Sequence, residues 1–185
     1  MQTMSTATDR FCRIALLLLA LLPIPFNCTA ALHVDENRFI LNQKTIEKSS
    51  YSPVLANALK DAVVISVNGE IRIPDAALVI LRRPSPKLPL SRCGAGSEDR
   101  LALIVYSSKK LRLAGSIPLQ SCEKNVTLVL SDLSIPDNPA DAIKLDSSGL
   151  EFSTLNAEMT GAEVHRFLIS PSGFKKISSP SSDVH

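Results

Sequence analysis

Glu163 and His165 are the residues whose types and spacing come closest to a reactive pair. Residues two apart in an extended strand share a face, so the carboxylate stands where it can orient an imidazole acting as general base. Of the three histidines, His33 lies near the start of the chain expected after leader removal, His185 is the last residue, and only His165 is placed where a general base could be held. Neither a G-x-S-x-G elbow nor an H-E-x-x-H helix occurs. The pair supports at most a weak or unusual hydrolase, with or without a metal; a solvated strand face accounts for it more simply. Asn125-Val126-Thr127 matches the N-glycosylation acceptor triplet, which matters in a eukaryotic exported chain.

Cysteine chemistry depends on compartment. Arg10 and Arg13 precede an unbroken apolar run over residues 14–22, then Pro23 and Pro25, then the small residues Cys28, Thr29, Ala30 and Ala31. This reads as a signal peptide over residues 1–30, cleaved after Ala30 or Ala31, because the run falls short of the about 20 apolar residues a bilayer span needs. The expectation is a secreted or periplasmic protein that is not transmembrane once cleaved. Cys12 and Cys28 leave with the leader, and Cys93 and Cys122 remain as one pair for one disulfide. On the chain-entropy account that bridge stabilises by roughly 3–4 kcal/mol.

The elements around the pair are read from periodicity. Residues 101–106 are apolar, residues 107–110 polar, and Leu111, Leu113, Ile117 and Leu119 alternate, predicting a β-hairpin. With the turn between Ser108 and Lys109, facing residues carry numbers summing to 217, against 215 for the cysteines, an offset that a bulge at Gly94, Ala95 and Gly96 would absorb. Ser52 before Pro53 predicts a short helix over residues 53–60 with Leu55, Ala58 and Leu59 on one face. Residues 63–67 and 70–73 read as strands around an Asn68-Gly69 turn, and residues 76–81 as a further strand running into a proline-rich surface connection. An edge strand or docked arm is expected around Phe39, Ile40 and Leu41, and a strand over residues 126–130. Hairpins are expected over residues 142–155 and 164–177, with a disordered tail over 178–185. The 155 residues beyond the leader suit a single domain, residues 31–177, of mainly antiparallel β structure, a sandwich or small barrel-like arrangement, with α+β as the alternative.

The stretch from Ser66 to Val79 resembles the aspartate-rich turn and following strand of FG-GAP or VCBS-type repeats, and residues 167–177 are similar to the strand-turn-strand endings of such proteins. The resemblance implies calcium held by loop oxygens. Here Ser66 stands at the first aspartate position and Ile71 at a glycine position, leaving Glu70 and Asp75 as the carboxylates, so no metal site or cofactor is carried over. The Cys93-Gly94-Ala95-Gly96 start also resembles that of small exported bacterial proteins of unknown function.

Beyond the leader, 18 basic residues face 17 acidic ones. Arg82, Arg83, Lys87 and Arg92 cluster, as do Lys109, Lys110 and Arg112, yet there is no tryptophan and there are two tyrosines, so these read as a solvated face and not as a nucleic-acid surface. The expected function is a non-enzymatic binding domain acting on a protein or cell-envelope component, inhibition of a secreted hydrolase being one form. Its expected surface comprises Gly94, Ser97, Glu98, Asp99 and Arg100, where glycine exposes backbone donors and the neighbouring bridge holds the loop rigid. A structural calcium-binding module using Glu70 and Asp75 is a further alternative.

Overall fold

The computed structural model describes residues 32–177 except 36, 68, 70, 86–95, 147–148, 157 and 159. The expected leader, the tail, Glu70, Cys93 and Gly94 lie outside the described residues. In chain order the elements are β1 (His33–Asp35), β2 (Arg38–Leu41), β3 (Lys44–Thr45), a 3-10 turn (Lys48–Ser50), α1 (Pro53–Leu59), β4 (Val63–Ser66), β5 (Ala76–Pro84), β6 (Ser97–Ser107), β7 (Lys110–Gln120), β8 (Leu128–Val129), a second 3-10 turn (Pro139–Ala142), β9 (Lys144–Asp146), β10 (Gly149–Leu155), β11 (Ala162–Ser170) and β12 (Gly173–Lys176). They pair as three antiparallel sheets, β1-β2-β3, β4-β5-β6-β7, and β12-β11-β10-β8 with β9 also on β10; none closes into a barrel.

The runs at residues 76–81 and 101–105 lack polar alternation because both faces of β5 and β6 are covered. Ala76, Leu78, Ile80, Leu101, Leu103 and Val105 form one core with Leu150, Phe152 and Phe167 of the five-stranded sheet. The alternate residues Ala77, Val79, Leu81, Ala102 and Ile104 form a second core with Phe39 of β2 and Leu55 of α1. Each fully buried Leu or Ile contributes about 1.5–3 kcal/mol relative to exposure, so the central sheet anchors both outer layers. In β10, half-buried on its outer face, the burial alternates strictly, with Leu150, Phe152 and Thr154 inward.

Helix α1 starts as its sequence dictates. The Ser52 hydroxyl accepts the Leu55 N–H at 3.2 Å, and Pro53 occupies the first turn, where no donor is required. At the other end Arg83 donates to the carbonyls of Asn57, at 2.6 Å, and Ala58. A basic side chain from β5 therefore reaches the last-turn carbonyls, that of Asn57 also accepting the Lys60 N–H at 3.3 Å.

The β6-β7 turn falls where expected: Ser107 faces Lys110, and Ser108 and Lys109 both have positive φ, the backbone of a two-residue hairpin that twists with its strands. The register then slips in the direction opposite to that expected. Leu103 faces Gly115 and Asp99 faces Gln120, so the extra residues are in β7, between Leu103 and Ile104 and between Asp99 and Arg100 of its partner. At the first slip Gly115 lets β12 approach β7, a Cβ there lying 3.1 Å from the Gly173 Cα. With Cys93 outside the described residues, the Cys93–Cys122 bridge is no part of the structure described.

Other expectations need correction. The described residues 71–73 make no return strand: β4 pairs with β5 (Val63 with Arg82, Ser66 with Val79), because the long buried run of β5 is the better partner. Gly69, φ 124°, passes over Leu145, where a Cβ would lie 2.9 Å from Cδ2. β2 is the middle strand of its own sheet and not an edge, with Phe39 buried and edge-on to Tyr51 at 5.9 Å. The strand expected over residues 126–130 is reduced to Leu128 and Val129, while β5 continues through Arg82 and Arg83 to Pro84.

Candidate functional site

Of the five residues expected to form a binding loop, Ser97, Glu98, Asp99 and Arg100 are the first four residues of β6. Gly94 is outside the described residues. Ser97 faces Pro84 across the β5-β6 ladder. The Glu98 carboxylate accepts the Ser85 hydroxyl at 3.2 Å and the Cys122 N–H at 3.0 Å, tying the ends of β5, β6 and β7 together. Asp99 is wholly buried and receives the Arg82 guanidinium side-on, Nε to Oδ1 at 3.0 Å and Nη2 to Oδ2 at 2.8 Å; the hydrogen bond to Asp99 holds Arg82 still more firmly protonated. Arg100 is exposed and donates to the Ser116 hydroxyl at 3.0 Å.

A second cluster lies where the inner face of β10 and β11 runs past the central sheet. Thr154 Oγ1 and His165 Nε2 are 2.8 Å apart, His165 Nδ1 lies 3.5 Å from Glu163 Oε1, and that oxygen is 3.7 Å from Lys176 Nζ. The imidazole leans on Phe152, ring centres 5.2 Å apart. Burial lowers the His165 pKa, which Glu163 partly restores and Lys176 lowers further. With the Nδ1 proton turned toward Glu163, Nε2 accepts from the Thr154 hydroxyl, the order hydroxyl, imidazole, carboxylate that an activated nucleophile requires. The cluster opens on a groove of about 440 Å³ that also takes in Ile117, Lys124 and Asn125. Thr154 itself is buried.

The third feature joins the two stretches quoted for the repeat resemblance. Residues 71–74 of the β4-β5 connection and residues 168–171, from the end of β11 into the following turn, line one trough of about 340 Å³ together with Leu145, Asp146 and Gly149. Its walls are mostly apolar, with Arg72 and Asp146 as the charged groups. Ile71, Ile73 and Leu145 pack partly against the main core, which fixes the connection in place. Leu168 remains 48% exposed and Val164, two pairs along the outer face of β11, 45%. Between them Arg166 is paired with Glu151 at 2.7 Å, holding the Glu151 pKa below its ordinary value.

Sequence reading selected Glu163 and His165 but missed Thr154, although strict alternation in β10 placed it inward beside them. The trough was missed because its two sides are about a hundred residues apart and meet only in the fold. Among the described residues, no group of three or more His, Cys, Asp or Glu side chains is placed to hold a metal ion, and no helix is long and apolar enough to cross a membrane. No family model, curated protein or solved structure matches the chain.

Proposed function

We propose that the chain is an exported, non-enzymatic binding domain that engages a protein or cell-envelope component through the trough between residues 71–74 and 168–171. The observation that carries this reading is an open, largely apolar concavity with Arg72 and Asp146 as its charged groups, lined in part by half-exposed Leu168. A preformed site of this kind loses little conformational freedom on binding. Export is supported by the basic, apolar and small-residue succession over residues 10–31. Cys93 and Cys122 are the two cysteines left once such a leader is removed, which is the ground for reading them as one bridge. The test is a photoreactive side chain placed at Leu168 in the native host, with Lys44 on β3 as control. A discrete adduct from Leu168 alone supports the reading, and equal or no adducts from both positions refute it.

A second reading, a weak hydrolase, rests on the Thr154, His165 and Glu163 alignment. Turnover of activated esters that His165→Ala abolishes with the melting midpoint unchanged would favour it over the binding reading.

A further inference from the structure

We propose that Asn125 is an N-glycosylation acceptor, an inference that rests on the export reading. Asn125-Val126-Thr127 is the one Asn-x-Ser/Thr triplet beyond residue 30. The structure adds three observations to the motif. Asn125 is exposed, as are its neighbours Cys122, Glu123 and Lys124, on a turn that projects between β7 and β8. Its φ of 53° lies in the left-handed region that asparagine enters more readily than most side chains. Only its backbone N–H is engaged, donating to the Cys122 carbonyl at 3.3 Å, and among the described residues neither its carboxamide nor the Thr127 hydroxyl has a hydrogen-bond partner. Both groups that a glycosyltransferase reads are therefore available.

The turn is closed by a single bridge, Ser121 N–H to Val126 O at 2.8 Å and Val126 N–H to Ser121 O at 2.9 Å, plus Lys124 N–H to the Ser121 hydroxyl at 3.1 Å. It belongs to neither large sheet, so straightening the triplet for transfer leaves the main strand ladders intact. In the transfer, Asn125 Nδ2 bonds to the anomeric carbon of an oligosaccharide carried on a lipid pyrophosphate. The sugar–phosphate C–O bond breaks, Nδ2 loses one proton, and the lipid pyrophosphate departs. No oxidant or reductant enters. Asn125 and Lys124 line the His165 groove, so a glycan there stands at that groove's mouth. The trough at residues 71–74 and 168–171 does not include this turn.

The experiment is intact-mass and peptide analysis of the protein isolated from its own host. The expected result is a chain beginning near residue 31 with a mass excess equal to whole sugar units, carried by the peptide containing Asn125. Amidase treatment in heavy-oxygen water should convert that asparagine to aspartate with label incorporated. Both Asn125→Gln and Thr127→Ala should remove the excess while secretion and melting midpoint are retained. A chain with the exported N-terminus and an unmodified Asn125 overturns the inference and leaves export standing. A chain that keeps residues 1–30 and carries no sugar overturns both. An excess that survives Thr127→Ala overturns the assignment to this triplet.

Discussion

Replacing Arg82 by methionine tests the account of the β6 start most sharply. Methionine keeps most of the stem and removes the guanidinium, leaving the Asp99 carboxylate, which has no exposed surface, without its side-on partner. Breaking a buried pair from one side costs about 3–5 kcal/mol. The Arg82 side chain is 33% exposed, so water reaches one end of the pair, and about 2–3 kcal/mol is the better expectation after that relief. For a domain of this size it corresponds to a fall in melting midpoint of roughly 5–10 °C. Combining Arg82→Met with Asp99→Asn should recover more than half of the loss, because the stranded charge goes with its partner. Urea unfolding followed by far-ultraviolet circular dichroism reads each stability at constant m. An Arg82→Met variant within about 0.5 kcal/mol of the parent would refute the reasoning and return Asp99 to the residues open to a ligand.

Two further outcomes follow from the geometry. Gly149→Ala should destabilise by more than about 1 kcal/mol, because φ is 140° and the added Cβ would meet the Phe167 carbonyl oxygen at 2.3 Å; a neutral substitution in thermal melts would contradict the β10-β11 register. Burial holds His165 neutral in the fold, so below about pH 6.5 the unfolded chain binds more protons than the folded one. The contribution of this group is complete above that pH and is lost as pH falls toward the lower folded value. His165→Gln should flatten the pH dependence of the urea midpoint between neutral and mildly acidic solution, and an unchanged slope would show that another group carries it.

What the sequence made legible was local. The Ser52-Pro53 start of α1, the Ser108-Lys109 turn and the turn over residues 170–173 each follow from adjacent residues whose backbone preferences leave few alternatives. The β4 pairing was misread because Asn68-Gly69 is a strong turn signal, whereas the real partner of β4 is decided by the burial that β5 obtains from two layers at once. The β7 slips were not foreseen: Gly115 serves an approach of Gly173, and the need for it exists only after the sheets have packed. The apolar runs at residues 76–81 and 101–105 were legible as strands, but not that a small sheet and a helix cover their second face. For the site, alternation carried Glu163 and His165 to one face, while the trough is formed by a connection and two strand ends that meet only in the fold.

The central claim is that residues 71–74 and 168–171 form the binding surface, and it is tested most directly by affinity. With the component captured at Leu168 purified, its dissociation constant is measured by calorimetry against the parent domain and against Leu168→Glu. Leu168 is half exposed, so the variant should keep its melting midpoint. Placing a charge against an apolar contact should weaken binding at least about tenfold, or about 1.4 kcal/mol. Equal affinities for the two proteins would contradict the account.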